Sequence, residues 1–361
     1  MSSVQVAPAQ SAVGTGLLDS GFGRWLRARF SGNNSLVLMT AGLFAIMYII
    51  GSIVYRKQNF GSMNSFFAML NSNPHLIVIA AGTTMVIVAG AIDISVGGQL
   101  AMYCMMLAFF IENKGVNPYL MIAIVLVTGI VFGFVQGLLV AYLRLQPFIV
   151  TLGGMFFARG MTAIISPQTI TITNPQFMNL VNFKIKWPWG GYNNNQGVFQ
   201  QPFIYISVLI AVIVVALMFL MMTQSRFGRH IYAVGGNEQS AMLMGLNTQR
   251  TKLAVFTLNG FLTAIGGFLF TLMSPGGAVE KAQGYEIKAI AAAVIGGALL
   301  TGGVGSIVGS FIGLLVQTTI TKLINSNGTL ANGWNEIVLG AILSLFIVLQ
   351  AIVALVRRRR E

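Results

Sequence analysis

Long apolar runs, almost free of charge, recur along the whole chain and constrain its fold more than any other feature. They fall at about 35–54, 75–92, 96–112, 119–141, 147–166, 203–222, 253–273, 288–300, 304–324 and 335–356. A helix needs about 20 apolar residues to cross the hydrocarbon core of a bilayer. Ten such runs predict an all-α fold, a polytopic transmembrane helical bundle. The runs are continuously apolar, without the period-two alternation that marks a membrane barrel. Only 8% of residues are charged, where soluble domains carry about 25%. That balance excludes an ordinary soluble enzyme, a disordered regulator and a coiled coil.

Two junctions, Ile92–Ser95 and Thr301–Gly303, are too short to be loops between full spans. Interrupted helices survive in a membrane only where protein or a wet cavity covers their free backbone groups. The sequence therefore predicts about ten spans with two broken or short segments. Val86-Ile87 to Val96-Gly97 and Val294-Ile295 to Val304-Gly305 also echo each other at an offset of 208 residues. Interrupted segments at matching places in two halves point toward a transport pathway.

The net charge of +13 comes from 21 basic and 8 acidic residues. In this setting it reads as a topology signal, since basic residues stay on the cytoplasmic side, and not as a nucleic-acid surface. Residues 1–34 form an expected cytoplasmic tail with Arg24, Arg27 and Arg29 and no signal-peptide core. Residues 35–356 form the transmembrane domain, and 357–361 a basic cytoplasmic C-terminus. Arg144, Arg226, Arg229, Arg250 and Lys252 fall on the same side when the N-terminus is inside.

Chemistry within the chain is sparse. Gly never precedes Lys, so no phosphate-cradling P-loop exists, and G-x-S-x-G and H-E-x-x-H are absent. Cys104 is the single cysteine, and His75 and His230 lie far apart. We expect no catalytic residue, no metal and no cofactor. An ion gradient or a separate ATPase must then power any uphill transport.

The polar residues inside apolar runs carry two readings each. Asp93 and Ser95 either cap the helix beginning near Val96 or line a pathway. Arg159 either pairs with an acid or a carbonyl, or snorkels to the interface, or reaches a sugar hydroxyl. Gln136, Thr151 and Asn259 suit a pathway that needs many weak hydrogen bonds, and suit helix-to-helix hydrogen bonding equally well. In the polar stretch 223–252, Asn237 reads as an N-cap and Gly245 as a stop for a helix of about two turns. Ala241, Met242, Leu243 and Met244 would then present apolar surface to a partner's groove or to the chain's own bundle. The long loop 167–202 carries Trp187 and Trp189, either interface anchors or a docking surface.

Three stretches together resemble the membrane permeases of ribose- and galactose-type ABC sugar importers. Gly90-Ala91-Ile92-Asp93-Ile94-Ser95-Val96-Gly97 is similar to the family's G-G-I-D-L-S-V-G, departing at Ala91 and Ile94. Ala233 to Gly245 looks like the family's ATPase-coupling loop, and Ala289 to Gly305 carries its A-x-x-V-I-G-G and G-G-x-G-S elements. The resemblance implies an ATPase contact at Gly235, Gly236, Asn237, Glu238, Ala241 and Gly245, with ATP bound by that partner. It also implies an extracytoplasmic sugar-binding protein, a second permease, identical or related, and a bacterial inner-membrane location. Val150 to Gly160, with Asn327-Gly328-Thr329-Leu330 and Trp334, most resembles the galactofuranose and fructose importers. A stand-alone carrier or facilitator is the alternative from another class.

Overall fold

Why the helices begin where they do follows from proline and asparagine. Pro74, Pro118, Pro147 and Pro175 each open a helix, where the missing N–H costs nothing and the fixed φ suits the first turn. Asn117 and Asn174 reinforce two of these starts by accepting backbone N–H groups of Tyr119 and of Gln176 and Phe177. The computed structural model describes residues 34–193, 199–328 and 333–358. The expectations for the tail 1–33 and for 359–361 fall outside the described residues.

The order is α1 (Asn34–Val54), α2 (Met63–Asn71), α3 (Pro74–Val88), α4 (Val96–Ala108), α5 (Pro118–Ala141), α6 (Pro147–Ile165) and α7 (Pro175–Asn182). It continues with α8 (Ile206–Gln224), α9 (Arg226–Gly236), α10 (Glu238–Leu243), α11 (Thr248–Met273), α12 (Tyr285–Ile295), α13 (Ile307–Asn327) and α14 (Gly333–Arg358). Each of the ten apolar runs holds a helix. Six of these, in α1, α5, α6, α8, α11 and α13, are long and apolar enough to cross a bilayer. The others are shorter: α3 has 15 residues, α4 has 13, α12 has 11, and the apolar part of α14 is Gly333–Val348.

Among the described residues the expected all-α architecture gains three two-stranded ladders in its connections. Ile170–Thr171, after α6, pairs with Gly276–Gly277, after α11. Lys184–Lys186 pairs with Phe203–Tyr205, and Tyr192–Asn193 with Phe199–Gln200. Within this long loop Trp187 packs edge-on against Phe67 of α2, with ring centroids 5.9 Å apart. Trp187 therefore serves the chain's own packing, while Trp189 is 73% exposed.

Every residue of α3 is buried, and α11 packs across it, α4 and α5 at the centre of the bundle. Large apolar side chains on α1, α5, α6 and α8 point outward. For a helix solvated by lipid that is an ordinary face, because hydrocarbon exacts no penalty for it. The two matching breaks also have matching surroundings. In each half a short helix (α3 or α12) ends, glycines turn the chain (Gly90, or Gly297, Gly302 and Gly303, all with positive φ), and a second helix (α4 or α13) follows.

Glycine sets the closest helix pair. Gly129, Gly133 and Gly137 lie four apart on α5 and face Gly260, Phe256 and Leu253 of α11. A Cβ on Gly260 would sit 2.8 Å from the Gly133 Cα, so only hydrogen fits there. Small residues at four-residue spacing let membrane helices approach to backbone contact. Gly260→Leu should force the pair apart at a cost of about 3 kcal/mol or more. Size-exclusion profiles in detergent should show the variant largely aggregated. Gly153→Leu, at a position where an added Cβ meets nothing within 4 Å, should leave the profile unchanged.

Candidate functional site

The polar stretch between α8 and α11 folds as two short helices on one face of the bundle. Ser225 caps α9 by accepting the Gly228 N–H at 2.9 Å. Asn237 ends α9 and caps α10, its Oδ1 accepting the Ser240 N–H at 2.8 Å. Leu246 N–H reaches the Ala241 carbonyl at 3.1 Å and Gly245 N–H the Met242 carbonyl at 2.9 Å. With Gly245 at φ +81°, this is a Schellman ending. The expected cap and stop are therefore both in place around a helix of six residues.

The apolar tip divides in two. Met242, Leu243 and Met244 are 54%, 90% and 70% exposed, whereas Ala241 is fully buried. The expectation that Ala241 presents surface to a partner needs correction: its methyl faces the chain's own bundle, because α10 lies flat on it. Glu238 is exposed but already paired, its carboxylate 2.6 Å from Lys252 Nζ on α11. Gly236 and Asn237 are exposed beside it.

At the end of α9 three stretches of backbone meet with no side chain between them. Gly303 N–H donates to the Val88 carbonyl at 2.8 Å, joining the break before α13 to the end of α3. The end of α9 closes over both. An added Cβ on Gly302 would lie 2.6 Å from the Gly235 oxygen and 2.8 Å from the Gly90 Cα. One on Gly235 would lie 2.8 Å from the Gly303 nitrogen. Gly90, Gly302 and Gly303 have φ of +80°, +87° and +73°, a region other residues enter at a cost. Tyr232 of α9 adds a hydroxyl bond to the Gly305 carbonyl at 2.8 Å. Gly235 thus works as a packing position rather than as an exposed contact.

Asp93, Ser95, Gln136, Thr151 and Asn259 come together, all at most 4% exposed. Asp93 Oδ1 accepts the Ser95 N–H at 2.8 Å and its hydroxyl at 2.5 Å, and Oδ2 accepts from Asn259 Nδ2 at 2.8 Å. Gln136 Nε2 donates to the Ser95 hydroxyl at 3.0 Å. Thr151 Oγ1 accepts the Ile94 N–H at 3.3 Å and so holds the unwound segment from α6. Asp93 rather than Ser95 covers the free N–H at the start of α4, since the Ser95 side chain makes no capping bond. Gln99 and Tyr103 extend the chain of contacts, at 2.7 Å to Ser95 and 2.9 Å to Gln99. Our sequence reading omitted both, although Ser95, Gln99 and Tyr103 recur at the four-residue step that puts them on one helix face.

Arg159 stands apart from this network. Its guanidinium donates to the carbonyls of Val279, Lys281 and Ala282 at 3.3, 2.8 and 3.1 Å, fastening the connection between α11 and α12. Asn259→Leu should leave Asp93 Oδ2 without its donor and cost about 2 kcal/mol. A thermal-unfolding series in detergent should register that loss, and Asn259→Asp should not restore stability, because it offers a second carboxylate.

Comparison with known proteins follows the same lines. The family model described as "Branched-chain amino acid transport system / permease component" matches residues 65–347. The chain is 36% identical over 317 residues to the inner membrane ABC transporter permease protein YjfF of Escherichia coli, covering 88% of this chain and 92% of that one. It is 33% identical to the fructose import permease protein FruG of Bifidobacterium longum, covering 85% and 88% of the two chains. It is 32% identical to the ribose import permease protein RbsC of Escherichia coli, covering 85% and 91%. No solved structure matches. With most of its length matched on both counts, the chain belongs to this family of transport-system permeases and stands among the ribose- and galactose-type ABC members.

Proposed function

We propose that this permease carries a monosaccharide, galactofuranose-, fructose- or ribose-like, through the membrane in a binding-protein-dependent ABC importer. One observation carries the coupling part of the reading. The apolar tip Met242–Met244 is exposed in an otherwise polar stretch, and α9, which leads directly into it, ends against both broken segments. A partner that grips this tip pulls on the ends of α3, α9 and α13 together, because their backbones touch. The partner is a cytoplasmic ABC ATPase that binds the ATP, leaving Gly236, Asn237 and Glu238 at the rim of the contact.

This assignment sets the rest of the topology. Arg226, Arg229 and Arg250 share the α10 face, so that face is cytoplasmic by the distribution of basic residues. Both termini then lie inside, and the ten apolar helices count as ten spans, with α3–α4 and α12–α13 the broken ones. The loops bearing α7 and the strand ladders face outward, toward an extracytoplasmic sugar-binding protein. A second permease, identical or related, completes the pathway.

Leu243 is the right residue for a test, because its side chain touches little of its own chain, whereas Ala241 is buried and would report folding. Leu243→Asp places an unpaired charge in the interface. ATPase co-purification and uptake of labelled sugar should both fall at least tenfold, with unchanged membrane insertion. Undiminished co-purification, or uptake that persists without the ATPase, would overturn the reading.

A further inference from the structure

On the face opposite α10 the starts of α3, α12 and α14 and the last turns of α13 enclose a cavity of about 220 Å³. Its chemistry is foreign to the apolar bundle around it. Lys288 of α12 and Glu336 of α14 form an ion pair at 3.1 Å on its wall. Gln317 of α13 donates to the Lys288 carbonyl at 3.1 Å, which fixes its amide. Asn335 contributes a side-chain oxygen that is buried and accepts no hydrogen bond. Buried acceptors are nearly always satisfied, so this one marks a place where a donor belongs. Leu76, Leu339 and Tyr285 supply the apolar part of the lining.

Charge selects among ligands. Lys288 and Glu336 neutralise each other, so the wall offers no net charge to hold an anion or a cation, and a zwitterion gains only by competing with the pair already made. A neutral polyol has no such conflict. Its hydroxyls donate to Asn335 and Glu336, accept from Lys288, and leave C–H faces for the leucines. The volume suits one monosaccharide. We propose that this cavity is a solute subsite of the permease itself, taking a single neutral sugar at the face opposite α10. The choice of sugars as probes rests on the importer reading above, but the binding itself needs neither ATPase nor binding protein.

Full-length permease in lipid nanodiscs, alone, is the sample. Saturation-transfer NMR against fructose, ribose and galactose, with leucine as a zwitterion of similar size, reads binding directly. At least one sugar should receive saturation and leucine none. Asn335→Leu, which removes an oxygen that holds no bond, should reduce the sugar signal at least fivefold while the size-exclusion profile stays unchanged. Glu336→Gln should weaken it by a smaller factor. No transfer to any sugar, transfer to leucine instead, or full signal in both variants would overturn the subsite. Uptake that proves independent of the ATPase would sink the importer reading and leave this binding result standing.

Discussion

Backbone touching backbone is the constraint on which this molecule depends. In water an unwound turn can hydrogen-bond to solvent; within lipid it must find protein. The two breaks in this chain find each other, through Gly303 N–H on the Val88 carbonyl, and the end of α9 seals the contact. Any side chain at Gly235 or Gly302 would occupy space already filled by main-chain atoms. The same logic joins α5 to α11 through Gly133 and Gly260. Glycine here substitutes close approach for the hydrophobic driving force that lipid removes.

Function follows from what that closeness links. The helices α9 and α10 are not a loose loop beside the bundle. α10 is capped at both ends, is paired to α11 through Glu238 and Lys252, and buries Ala241. Gly235, at the end of α9 beside it, in turn touches the backbone of both breaks. One turn further in, Asp93 gathers Ser95 and Asn259, while Gln136 and Thr151 hold the same segment from α5 and α6. Three helices thus register the position of one unwound stretch. A shift at Val88–Gly90 must either carry that network along or break it.

Much of this was legible in the residues. Apolar runs locate helices because lipid demands internally satisfied backbone, and proline and asparagine mark their starts. Asn237 and Gly245 announced a capped helix correctly, since capping is local chemistry. Burial is different, because it depends on which way an element lies against the rest. Nothing in the pattern Ala241-Met242-Leu243-Met244 says which side chain turns inward, and the smallest one does. Gln99 and Tyr103 were hidden among apolar neighbours, although their spacing from Ser95 placed them on one face. For Arg159 the sequence leaves a carbonyl partner and a solute contact both open, and the carbonyls of Val279, Lys281 and Ala282, more than a hundred residues along, decide for the first. The ladder of Gly129, Gly133 and Gly137 was available in the sequence and shows itself only once its partner helix is known.

The central claim is that the ends of α3 and α9 and the break before α13 behave as one unit. Hydrogen–deuterium exchange by mass spectrometry, on the permease in nanodiscs, tests it most directly. Peptides covering Ala89–Ala91 and Gly302–Gly305 should exchange slowly despite lying outside helices. Gly235→Val, a change in α9 alone, should accelerate both together. If those peptides exchange as fast as the exposed turn at Gly245 in the native chain, or if Gly235→Val leaves both unchanged, the three segments are independent and the account fails.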